Sequence, residues 1–183
     1  MAILEFIQVM VAVILGLGIA EILRGFADFL RPGERRVSLL LLTISAWLLL
    51  VHIQFWWAGW RLVDVESWKF YELLLYLAGP IILFLLARLS FPNTAESQDL
   101  TKYYADVSAR IWYLVGAFFV FAIPFNTVLL DAALISSGPI SQIALLSYAL
   151  ICANTSNRTV HFIGVAGLVL QATWRGISDV VGS

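Results

Sequence analysis

The chain has 183 residues, 61% of them hydrophobic and 13% charged, and a net charge of -1. A soluble domain is usually about 25% charged, and a water-soluble fold of this length could not hide so much apolar surface. The near-neutral charge gives no basis for nucleic-acid binding. A single cysteine, Cys152, excludes an intramolecular disulfide and a multi-cysteine metal site.

Charge-free runs fill much of the chain: 37–51, 111–130 and 132–157. Such runs read as transmembrane helices. The expected fold is an all-α integral membrane protein, one polytopic domain over residues 1–183, with about six transmembrane helices. The alternative is five helices plus a re-entrant segment.

In chain order, the first helix is expected over about 4–30, ended by Pro32-Gly33. Residues 1–20 contain Glu5 but no Lys or Arg, so this segment reads as a retained helix and not a signal peptide. It carries GLGIAEILRGFAD, residues 16–28, in which Gly18, Glu21, Gly25 and Asp28 share one face with Arg24 between the two acids. Glycines at this spacing let another helix approach closely. Glu21, Arg24 and Asp28 therefore read either as an interfacial charge ladder or as the lining of a cation or proton path.

A second helix is expected over about 37–60, ending in VHIQFWWAGW. Trp56, Trp57 and Trp60 fit an interfacial belt, because the indole ring is apolar and its N–H needs a partner. His52 lies one turn before Trp56, on a face where the two rings could stack. It reads as a satisfied interhelical donor or as a ligand, relay or substrate group.

Helices three and four are expected over about 71–89 and 111–135, with the polar stretch 93–110 partly helical and running into the fourth. Each carries a proline near mid-membrane, Pro80 and Pro124. A proline in a helix frees a carbonyl one turn earlier. Asn126 and Asp131 near the second break resemble, in physical logic, the polar neighbours of transporter or channel sites; simple packing kinks are the alternative. The SSGP stretch, 136–139, ends this helix. Residues 140–156 and 158–175 then form either two short spans or a re-entrant segment and a span.

Basic residues give the threading. Arg24, Arg31, Arg35, Arg36, Arg88, Lys102 and Arg110 fall in two groups, Arg61 and Lys69 between them. Placing the larger groups inside puts loops 31–36 and 91–110 in the cytoplasm and the amino terminus outside, as in a bacterial inner membrane. Arg158 and Arg175 take opposite sides under either arrangement of the last forty residues, so they cannot choose between the two.

Three function classes follow. The first is a channel or transporter-like protein conducting or binding a small solute or cation, with Glu21, Arg24, Asp28, His52, Asn126 and Asp131 as pathway or binding residues. A second is a redox protein in which His52 and His161 ligate a heme b; the third is an accessory or structural subunit of a membrane complex. Six full spans would separate the two histidines by about 15 Å or more along the membrane normal, too far for one heme, whose axial nitrogens lie about 4 Å apart. No cofactor and no metal are expected. The chain lacks a Walker loop, GxGxxG, HExxH and GxSxG, so catalysis is not expected. The expected partners are the lipid bilayer and further copies of the chain, or other subunits, since few short helices enclose little volume.

Overall fold

The computed structural model describes residues 3–30, 38–63, 65, 67–92, 99–130 and 132–181, with side chains to residue 178. The described residues form six helices: α1 (Ile3–Leu30), α2 (Leu39–Ala58), α3 (Phe70–Leu89), α4 (Leu100–Pro124), α5 (Ser137–Ala153) and α6 (Arg158–Val181). A 3-10 turn, Gly59–Leu62, extends α2, and a π-turn, Phe125–Leu129, extends α4. All but α5 are long and apolar enough to cross a membrane. Large apolar side chains such as Phe6, Val13, Leu17, Trp57, Leu74 and Leu170 are more than half exposed. Apolar surface on this scale is a lipid-facing exterior, not a water-facing one.

Local signals set several helix starts. The Ser38 hydroxyl accepts from the Leu41 amide, and Asp99 Oδ1 accepts from the Thr101 and Lys102 amides at 2.9 and 3.1 Å. The polar stretch expected to run into the fourth helix is helical from Leu100, because the aspartate cap satisfies the first free N–H groups well before the apolar run starts. The α-helical part of α4 ends at Pro124, so this proline closes the regular helix instead of kinking its middle. Side chains of the π-turn beyond it bond back to the last carbonyls of α4. Asn126 Nδ2 donates to Ala122 O at 2.7 Å and the Thr127 hydroxyl donates to Ile123 O at 3.2 Å. Pro80, in contrast, sits inside a continuous α3.

Helices α2, α3, α4, α5 and α6 each pack on the next and close a ring, with α6 returning to α2; α1 lies against α2 and α3. Side-chain pairs fix the register. Tyr113 of α4 donates to Asn154 at the end of α5, and Gln54 of α2 donates to Ala172 O of α6 at 2.7 Å. Arg175 of α6 reaches Asn126 at the far end of α4. The 17-residue α5 therefore runs antiparallel to α4 and α6 along about 25 Å, near the roughly 30 Å hydrocarbon thickness. It does not turn back on itself, as a re-entrant segment would. The six helices alternate in direction, and α6 ends at the same end of the bundle where α1 begins.

Trp47, Trp112, Phe119, Ile111 and Leu83 fill one half of the ring, each at most 2% exposed. The other half is open inside.

Candidate functional site

Within the ring lies a cavity of about 850 Å³. Its inner end is walled by Trp47, Val51 and Phe119, and its outer end by Arg61, Ser136, Gly138 and Arg175. An aromatic stack holds one wall in place. Tyr76 stacks on both Phe55 and Phe125 with centroids 5.6 Å apart, tying α2, α3 and the π-turn together. Gly79 is what lets this wall form, since a Cβ there would overlap the Phe55 ring.

Several polar groups lining the cavity already have partners. Gln54 Nε2 is bonded to Ala172 O, and Ser141 Oγ donates to Gly138 O at 2.7 Å. Asn126 gives its amide to Ala122 O and receives Arg175 Nη2 on Oδ1 at 3.4 Å. Two atoms in the wall differ. Trp47 Nε1 and Gln142 Oε1 are buried and have no hydrogen-bond partner among the described residues, in side chains only 2% and 1% exposed. Native interiors leave few such atoms, and each calls for a water, an ion or a ligand.

Of the described residues expected from the sequence to line a path, the cavity brings in Asn126 alone. Glu21, Arg24 and Asp28 sit on α1, outside the ring. There they form the charge ladder: Arg24 Nη2 lies 2.7 Å from Glu21, Arg24 Nη1 3.7 Å from Asp28, and Arg88 of α3 3.4 Å from Glu21. Asp131 lies outside the described residues. Among the described residues no carboxylate lines the cavity, so a cation would find no counter-charge from them there.

The two histidines occupy different places and neither lines the cavity. His52 is fully buried; its Nδ1–H donates to Leu48 O at 2.7 Å, and Nε2, without a partner among the described residues, faces Gly18 of α1. It turns inward while Trp56 is 48% exposed, so the expected His52–Trp56 stack is replaced by packing on α1. Trp56, Trp57 and Trp60 lie on the outer surface, as an interfacial belt requires. His161 is held on both sides. Its Nε2–H is shared by the Cys152 and Thr155 carbonyls, each at 3.0 Å, and Nδ1 meets the Tyr104 hydroxyl at 2.8 Å, which in turn accepts from Trp112 Nε1 at 3.1 Å. The two carbonyls require the proton on Nε2, leaving neither ring nitrogen open to a metal. Because Gln54 is level with Ala172, His52 lies about nine residues, or roughly 13 Å, from His161 along the bundle.

The sequence reading passed over Trp47, Gln142, Gln54, Gln171 and Arg175. Three glutamines inside apolar helices were the available signal, because a buried amide in a membrane segment needs a partner.

Together, the fold and its cavity define a class: a polytopic, all-helical bundle of membrane type with an internal chamber. Comparison of the chain with protein-family models, with curated proteins and with solved structures found no match.

Proposed function

We propose that this protein is a bacterial inner-membrane protein that binds a small organic solute inside its five-helix ring and acts as a transporter-type carrier, not an open pore. The carrying observation is the chamber itself. Its volume of about 850 Å³ falls within the range of small-molecule sites, and two of its lining residues, Trp47 and Gln142, each keep a buried polar atom with no partner among the described residues. The buried Trp47 and Phe119 at the inner end favour a blind chamber over a continuous path. The π-turn beside it adds support, since such turns concentrate at functional sites.

Charge gives the orientation in this proposal. Arg24, Arg88, Lys102, Arg110 and Arg158 gather at the closed end, against Arg61, Lys69 and Arg175 at the other. The closed end is the cytoplasmic one, and the chamber faces outside. The described lining comes from a single chain, so in this proposal the ligand site lies within one protomer; association through the apolar outer faces is a separate part of the proposal, tested by mass in detergent. The heme reading draws no support from the positions of His52 and His161.

Gly167 lines the chamber, and a Cβ there makes only ordinary contact with Leu145. Gly167→Phe should fill the space without breaking the helix. Thermal-shift titration against a panel of small organic solutes is expected to give saturable shifts with the wild type and none with Gly167→Phe. Equal shifts in both proteins, or no shift with any solute, would refute the reading. A steady conductance in planar bilayers would replace it with an open pore.

A further inference from the structure

Three glutamines line the chamber from three different helices: Gln54 of α2, Gln142 of α5 and Gln171 of α6. The helix registers bring them to one depth. Gln54 Nε2 donates to Ala172 O, the residue after Gln171. A Cβ on Gly167 would lie 3.6 Å from the Leu145 side chain. Because α5 and α6 run antiparallel, one turn outward from that pair sets Gln171 level with residues 141 and 142. On the other side of α5, a Cβ on Gly116 would lie 4.0 Å from Ala149. Seven residues outward on each helix, Gln142 is opposite Ile123. Its neighbours Phe121 and Phe125 both line the chamber, as does Phe55 beside Gln54. The chamber thus has a girdle of amides flanked by aromatic rings, about 10 Å outward of Trp47 along α2.

These amides are largely uncommitted. Gln142 and Gln171 make no hydrogen bond among the described residues, and the Gln142 carbonyl is buried as well. Gln54 makes only its bond to Ala172 O. A primary amide carries two N–H donors and a carbonyl acceptor. Polar groups held in apolar surroundings without partners are costly, and three of them at one depth define a place where a ligand supplies the missing bonds.

Resting on the reading of this chamber as a ligand site, we propose that its ligand is an uncharged, planar organic amide. Its carbonyl accepts from the glutamine N–H groups and its own N–H donates to their carbonyls, Gln142 Oε1 among them. Its flat apolar body packs against the rings of Phe55, Phe121 and Phe125. A neutral amide suits this girdle better than an ion, because hydrogen bonds from neutral groups do not repay the dehydration of a charge.

Isothermal titration calorimetry on the full chain in nanodiscs tests this, with the heat of empty nanodiscs subtracted. Benzamide, acetophenone and benzoate are titrated into the wild type, Gln171→Met, Gln142→Met and Gly167→Phe. Acetophenone keeps the shape and carbonyl of benzamide and lacks its N–H donors. Benzamide is expected to bind saturably and about tenfold more tightly than the other two, the scale set by leaving a buried acceptor unmet. Either methionine variant should weaken benzamide by about tenfold and acetophenone by less than about threefold, so that the preference disappears. Gln171→Met keeps the test decisive if Gln142→Met does not fold. Gly167→Phe should abolish binding. Acetophenone or benzoate binding as tightly as benzamide overturns the amide assignment, as does a preference that survives both methionine variants. Absence of saturable binding by all three also overturns it, and the thermal-shift panel then judges the chamber reading by itself. Undiminished benzamide binding by Gly167→Phe overturns both.

Discussion

Gly18 of α1 leaves open the space that the His52 imidazole of α2 occupies; a Cβ at Gly18 would overlap the ring. The imidazole cannot simply swing away, because its Nδ1–H is bonded to Leu48 O one turn back. Gly18→Ala is therefore expected to destabilise the protein by about 1–3 kcal/mol, the usual cost of overpacking. His52→Ala in the same chain should recover part of the loss, since the two residues are in contact and their effects should not add. Thermal unfolding of the four proteins of this cycle in detergent measures it. A wild-type melting temperature for Gly18→Ala would show that α1 and α2 are not held in this register.

The Trp112–Tyr104–His161 chain joins α4 to α6 without an intervening gap. Tyr104→Phe removes its middle link and leaves the indole N–H and His161 Nδ1 buried without that partner. The expected cost is about 1–3 kcal/mol, seen as a lower melting temperature with unchanged helical content. Unaltered stability would mean that apolar packing alone holds this end of α6.

Gln142→Met replaces a buried carbonyl that has no partner with an apolar group of similar shape. In the ligand-free protein it should raise stability by about 1 kcal/mol, because an unmet acceptor is lost and no hydrogen bond is broken. The same change should reduce the thermal shift given by a chamber ligand. If the ligand-free protein is instead destabilised, the carbonyl has a partner in the folded state and is not awaiting one.

Glu21→Gln addresses the ladder on α1. The side chains of Glu21, Arg24 and Arg88 are 25%, 39% and 44% exposed, so the expected stability change is below about 1 kcal/mol. Ligand binding in the chamber should be unaffected, as α1 contributes nothing to its lining among the described residues. Loss of binding in the titration would bring α1 into the site.

The alternation of six helices places both ends of the described chain at one end of the bundle. In the proposed orientation that side is the periplasm. A carboxyl-terminal alkaline phosphatase fusion is expected to be active and a fluorescent-protein fusion dark. The reverse pattern would reject the six-span threading.

The sequence by itself determined the class of the molecule and most of its helices. Hydropathy alone marks the membrane segments, because lipid-facing helices need apolar residues all round, and Gly18 and Gly25 marked the contact face of α1: each meets an aromatic ring, His52 or Phe91, on another part of the bundle. The ladder of Glu21, Arg24 and Asp28 was also legible, since helical spacing alone brings those charges together. The polar lead-in to α4 was legible as partly helical, but its first residue was not, because those turns lie outside the apolar run and only the Asp99 cap fixes where they begin. The chamber could not be read at all. It exists because α2 through α6 close a ring that leaves α1 outside, and no local pattern encodes which helices become neighbours. That arrangement separates Glu21 from Asn126, turns His52 to Gly18, surrounds His161 with three hydrogen-bond partners, and brings Trp47, Gln142 and Arg175, distant in the chain, to one chamber. Helical periodicity says which face is apolar, and tertiary packing decides what that face encloses.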